Sequence, residues 1–163
     1  MLKPDADVAA SEKTAAASSA DIEYLKELCQ GGKKEILLGR MAMTHAASPA
    51  VKQFAARMIN DHSVQAKTIQ YIAHIKGVEL PDTLTAEQQM HIDALSALNG
   101  ETFDQAYMSM MVEDHAMTVE KTQMEAQTGT DHVIKNFAKF WLPLLRDHLR
   151  HARWVARYIG MDV

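Results

Sequence analysis

Three of the chain's four aspartate–histidine pairs, Asp61-His62, Asp114-His115 and Asp147-His148, fall within predicted helices at widely separated points, the fourth, Asp131-His132, standing at a helix start; a glutamate, Glu35, precedes them all. Around the first pair, apolar residues fall at Val51, Ala55, Met58, Ile69 and Ile72, at spacings that put them on one face of a helix together with His62. Sorted by predicted helix, there is one such polar group on or beside each apolar stripe: Glu35, His62, His115 and His148. Histidines and carboxylates converging from facing helices are how a bundle core holds a metal ion. His151, three residues after His148, is a candidate fourth ligand. Adjacent residues lie about 100° apart on a helix, so Asp61, Asp114 and Asp147 can instead brace a neighbouring helix's histidine from outside the site.

The elements that must position these groups are four long helices. The first starts near Ser19, with an inner face of Ile22, Leu25, Cys29, Gly32, Ile36, Gly39 and Met43; Glu35 sits on the adjoining line with Leu28, Ala42 and Ala46. Gly32 and Gly39 on a packing face suggest close backbone approach or room for a partner side chain. Ser48-Pro49 opens the second helix, which runs to about Lys76 and stops at Gly77. Counted from Ser48, Glu35 and His62 stand at nearly equal heights in this hairpin.

A connector with Leu80-Pro81 leads to a short helix opened by a capping box, Thr85 to Gln88, and stopped by Asn99-Gly100. The third long helix opens with a second box, Thr102 to Gln105, and reads Phe103, Tyr107, Met110, Asp114, Met117, Met124. Asp131 caps the fourth, whose stripe is Ile134, Phe137, Trp141, Leu144, His148, His151, Val155 and Tyr158, with Pro143 inside it. Counted from Gly129, His148 stands about one turn further along than His115, which sets it at a different level unless the helix deforms. The expected architecture is therefore an all-α four-helix bundle, residues 19–163, with a long crossover between helices 2 and 3 and a flexible arm over residues 1–18.

Composition bounds the rest. A chain of 163 residues with 47% apolar and 6% aromatic residues is one helical domain. A net charge of −4 gives no reason to expect nucleic acid. No apolar run approaches the ~20 residues that cross a bilayer, and no signal peptide opens the chain. Either the protein is cytosolic, or this is a mature, trimmed form whose Met1 was added for expression. The single cysteine, Cys29, reads as a small buried hydrophobe. His45, His74, His91 and His132 read as surface. Met108, Met110, Met111 and Met117 surround His115; thioethers with histidines suit Cu(I), although methionines commonly fill core gaps. Arg146, Arg150, Arg153 and Arg157 form a ridge read as a solvated face. The sequence identifies no particular partner protein, and the chain is expected as a monomer or homodimer.

The runs Glu35 to Ala42, Phe54 to His62, Leu80-Pro81, Phe103 to Tyr107, Asp114-His115 and Leu142 to His148 resemble the bacterial family catalogued as domain of unknown function 4142. That resemblance implies a ferritin-like bundle of exported or envelope proteins with no established activity, its histidines falling on His62, His115 and His148 and its glutamate on Glu35. Di-iron ferritins use a Glu-x-x-His pair on each of two helices. Here Ile59 and Leu145 stand three before His62 and His148, so ferroxidase chemistry does not carry over.

The leading expectation is an exported bundle with a mononuclear zinc, iron or copper site built from Glu35, His62, His115 and His148. The rivals are a metal-free stress or interaction module with a buried histidine–aspartate network, and an oxidoreductase using bound iron and O₂.

Overall fold

The computed structural model describes residues 16–163; the arm expected over 1–18 lies outside them except for its last three residues. Five helices follow in order: α1 (Ser19–His45), α2 (Pro49–Lys76), α3 (Ala86–Ser96), α4 (Gly100–Thr128) and α5 (His132–Tyr158). α1 packs along α2, and α4 along α5. α1 also lies beside α4 and α2 beside α5, closing a four-helix ring with α3 laid against α1 and α4.

Chain direction follows from the ends. Ala46, after α1, bridges Gly100 at the start of α4, whereas Asp21 at the start of α1 accepts hydrogen bonds from Thr130 and Asp131 between α4 and α5. α4 therefore runs parallel to α2, and the segment carrying α3 returns the chain along the bundle. This is the four-helix bundle with a crossover helix that the patterning predicts.

The helix ends are set by local chemistry. Ser18 and Asp21 form a reciprocal capping box, as do Thr85 and Gln88, and Asp131 accepts from the Val133 and Ile134 amides. Gly77 ends α2 at φ 65°, a left-handed conformation that glycine adopts without strain. The box expected over Thr102–Gln105 does not form. α4 begins three residues earlier, with Asn99 in place of Thr102 before its first turn and Gly100 at φ 66° as its first residue. Pro143 sits within α5, whose assignment runs unbroken from His132 to Tyr158.

Two apolar clusters fill the bundle. One, at the α1–α2 hairpin end, contains Leu38, Phe54, Met58, Tyr107, Met111 and Val155. The other, at the opposite end, contains Leu25, Leu28, Ile69, Ile134, Trp141 and Leu145. Between them lies a polar layer that contains His62, His115 and His148.

Two predicted faces are rotated. On α1 the buried line is Leu25, Leu28, Gly32, Glu35, Leu38, Gly39 and Ala42, while Ile22, Cys29 and Ile36 are half-buried and Met43 is exposed. Glu35 thus belongs to the core face itself, and Cys29 is not the buried hydrophobe expected. On α4 the buried line passes through Met108, Met111 and His115, leaving Met117 and Met124 on the surface.

Candidate metal centre

The polar layer is made where each inward stripe meets mid-height. α2 brings His62 between Met58 and Ile69, α4 brings His115 one turn after Met111, and α5 brings His148 after Leu145. All three histidines are at most 5% exposed. One ligating nitrogen from each lies within 4.8 Å of the other two, and the ring centroids are 5.4–5.9 Å apart.

His148 therefore stands level with His115, not a turn away as residue counting suggested. Side chains tilt toward their helix's N-terminus. In the antiparallel α4–α5 pair this moves the His115 ring away from the connecting turn and the His148 ring toward it. Counted from the helix ends, Thr128 and His132, the offset is three residues, or ~4.5 Å, and both tilts act to reduce it.

Each imidazole is anchored through one nitrogen and open at the other. His62 Nδ1–H donates to Gln65 Oε1 at 3.0 Å, His115 Nδ1–H to the Met111 carbonyl at 2.8 Å, and His148 Nε2–H to Asp61 Oδ2 at 2.8 Å. Because all three partners are oxygens, the proton resides on the anchored nitrogen of each neutral ring. His62 Nε2, His115 Nε2 and His148 Nδ1 are then lone pairs, buried and without a partner. Burial is also the first cause of the lowered pKa at all three rings, with His148 falling to about 4. At neutral pH they are uncharged, the form that ligates metals.

Glu35 lies beside the trio rather than in it. Its Oε1 is 4.0 Å from His115 Nδ1, and its Oε2 is buried without a partner. Burial lifts its pKa to about 7. Gly32 faces this layer: a Cβ there would lie 3.6 Å from Gln65 Oε1 and 3.9 Å from His62 Nδ1. Gly39 makes the close approach instead, since its Cβ would fall 2.8 Å from Ile59. The two glycines divide the two roles predicted for them.

The remaining expected groups go elsewhere. Asp61 braces His148, and Arg57 holds it from the outer side at 3.3 Å. Asp114 pairs with Lys34 at 2.6 Å, and Asp147 with Arg57 and Arg150; neither bonds a trio histidine. His151 is half-buried, edge-on to Phe54, with Nδ1 3.3 Å from an Arg57 nitrogen, outside the cluster. Among the histidines read as surface, His74 and His132 are exposed, but His45 and His91 are half-buried, and His91 Nδ1 lies 3.2 Å from Lys34 Nζ. The arginine ridge is exposed as expected, with Arg146 bonded to Gln123 and Arg157 to the Val163 carbonyl.

Sequence reasoning did not single out Gln65, buried at 1% exposure, or Lys34, buried at 4%. Gln65 lies one turn after His62 on the same stripe, a spacing that could have revealed it. Lys34 carried no such signal, because a lysine beside a core line ordinarily reaches water.

Comparison with solved structures finds the same fold in two bacterial proteins. A DUF305 fragment from Deinococcus radiodurans matches with a TM-score of 0.77 at 13% identity, over 87% of this chain and 98% of its own. A candidate secreted DUF305 protein from Streptomyces coelicolor matches with a TM-score of 0.74 at 13% identity, over 88% of this chain and 94% of its own. No curated protein matches the chain. Among the described residues no helix is long and apolar enough to cross a membrane. A family model matches residues 6–155 of the chain, and the chain belongs to that family, the domain of unknown function DUF4142.

Proposed function

We propose that the protein binds one transition-metal ion through His62 Nε2, His115 Nε2 and His148 Nδ1, with Glu35 as the adjoining carboxyl group. The observation carrying this reading is the set of three buried lone pairs on three separate helices, each ring fixed in its tautomer by an oxygen acceptor on its other nitrogen. An unpaired buried polar atom costs about 1–3 kcal/mol, and a single cation satisfies all three. Three neutral imidazoles with a further open position are a donor set that zinc takes in catalytic sites, and imidazole also suits copper and iron. At a metal–nitrogen distance of about 2.0–2.1 Å, the three nitrogens would draw together by less than about 1 Å per ring, within the reach of ring rotation.

The open position is consistent with catalysis but does not require it, so the function proposed is metal binding. An exported location is part of the proposal and is supported by the likeness to a candidate secreted protein.

The test is elemental analysis of protein purified without chelator, followed by titration of the stripped protein with Zn(II). One ion per chain, lost in His62→Ala and His115→Ala, is the expected result. Zinc at a hundredfold its Kd should raise stability by about 2.7 kcal/mol. A melting temperature unmoved by zinc or chelator would favour the metal-free rival, in which the same histidines serve only as a core network.

A further inference from the structure

Two of the three cluster histidines, His62 and His115, line a cavity of about 80 Å³, walled also by Leu28, Gly31, Gly32, Glu35 and Gln65. Two of these walls carry polar atoms that three imidazole ligands do not use. Gln65 takes the His62 N–H on Oε1, which leaves its Nε2 as a buried donor without a partner. Glu35 Oε2 is a buried oxygen, also without a partner. An amide nitrogen is not a metal ligand, so the Gln65 donor stays open even when an ion sits between the rings. The cavity has room for ordered waters or one small molecule.

The cavity also has an entrance. Lys34 and Asp114 line both it and an outer groove of about 340 Å³ between α1, α3 and α4. Lys34 Nζ stands at this neck, 2.6 Å from Asp114 Oδ2 and 3.2 Å from His91 Nδ1 on the crossover helix.

We propose that this cavity is the ligand pocket of the metal centre, taking a small protic oxyanion of the bicarbonate or hydroperoxide class that enters past Lys34 from the groove beneath α3. The proposal rests on the metal-binding reading above. One ligand oxygen takes the open coordination position, a second accepts from Gln65 Nε2, and the ligand O–H donates to Glu35 Oε2. The orphaned donor and acceptor thus find their partners in one molecule of fitting size.

The experiment titrates the Co(II)-loaded protein with bicarbonate while following the visible cobalt bands, with formate, which lacks the O–H, run alongside. Bicarbonate should shift the bands saturably and bind more tightly than formate. Gly31 lines both cavity and groove, and a Cβ there meets nothing within 4 Å. Gly31→Leu should therefore keep cobalt stoichiometry and obstruct the pocket, weakening bicarbonate at least about tenfold. Gln65→Glu, which keeps an oxygen against His62 and removes the donor, should likewise weaken bicarbonate. Bands that ignore bicarbonate while cobalt is bound would overturn the pocket and leave the metal centre standing. Equal affinity in the wild type and both variants would overturn it too, and formate binding as tightly as bicarbonate would overturn the protic class. If cobalt does not bind, the metal reading falls and the pocket falls with it.

Discussion

Replacing His115 by leucine separates a ligand from a structural core histidine. The ring's only hydrogen bond runs to the Met111 carbonyl at 2.8 Å, an oxygen that lies within α4 and already serves the helix ladder. Losing that bond removes about 0.5–1.5 kcal/mol and orphans nothing. The same change eliminates His115 Nε2, a buried atom without a partner whose burial costs about 1–3 kcal/mol. Leucine is close to imidazole in volume and can keep the edge contact with Phe54, whose ring centroid lies 6.3 Å away. The metal-free variant should then unfold at the same free energy as the wild type or up to about 2 kcal/mol higher. For a chain of this size that is a rise of up to about 8 °C in Tm. The rise in Tm on adding zinc should vanish in the same variant. Urea titration of both proteins, stripped and zinc-loaded, reads both quantities. A loss of more than about 2 kcal/mol in the stripped variant would mean that the ring holds the core together. An undiminished zinc effect would mean that the ion binds elsewhere. Either result refutes the argument.

Asp61→Asn should leave zinc stoichiometry at one per chain while weakening affinity by about 10–100-fold, because the acceptor that orients His148 loses its charge; isothermal titration checks this. Gly39→Ala should cost about 1–3 kcal/mol despite a helix-propensity gain of about 1 kcal/mol, because the new Cβ would lie 2.8 Å from Ile59 Cγ1 and 3.2 Å from the Ala55 carbonyl; thermal unfolding would show no loss if Ile59 can yield. The stripped protein should lose stability as pH falls from 6.5 toward 4, since burial holds the His148 pKa near 4 and the unfolded chain takes up the proton first; His148→Leu should remove that part of the acid-side loss, at up to about 1.4 kcal/mol per pH unit. Glu125 has the opposite sign: burial, and next the hydrogen bond with Asp21, lift it from 4.5 to about 7, so its contribution declines as pH rises through that window. Glu125→Gln should flatten the decline, and a denaturation series that parallels the wild type would contradict this.

The parts of this molecule that could be read from its sequence are those a single helix decides alone. α2 shows this best: Ser48-Pro49 and Gly77 set its ends, and the residues between Val51 and Ile72 set its inner face, so His62 was placed without knowing any neighbour. α1 and α4 were harder for a physical reason. α1 carries two adjoining apolar lines, and only packing against both α2 and α4 selects the one through Glu35. α4 spreads its methionines around the helix, so Met117 and Met124 read as core until α5 covers the opposite side. Partners that bridge helices were beyond reach for the same reason. Arg57 reaches Asp147 on α5, and Lys34 takes Asp114 on α4, across sequence distances that no periodicity encodes.

Burial alone does not explain how the polar layer is arranged. A core network built for fold specificity would be expected to close on itself, with each buried donor meeting a buried acceptor. Here every bond made by the three imidazoles points away from the others, to a backbone carbonyl, an amide oxygen and a carboxylate, while three lone pairs are left between them. Two well-packed apolar clusters lie directly above and below, so filling this layer with leucines would have required no change of architecture. Three neutral bases retained there at a cost in stability support the proposed cation site, because a bound ion would return what the layer gives up.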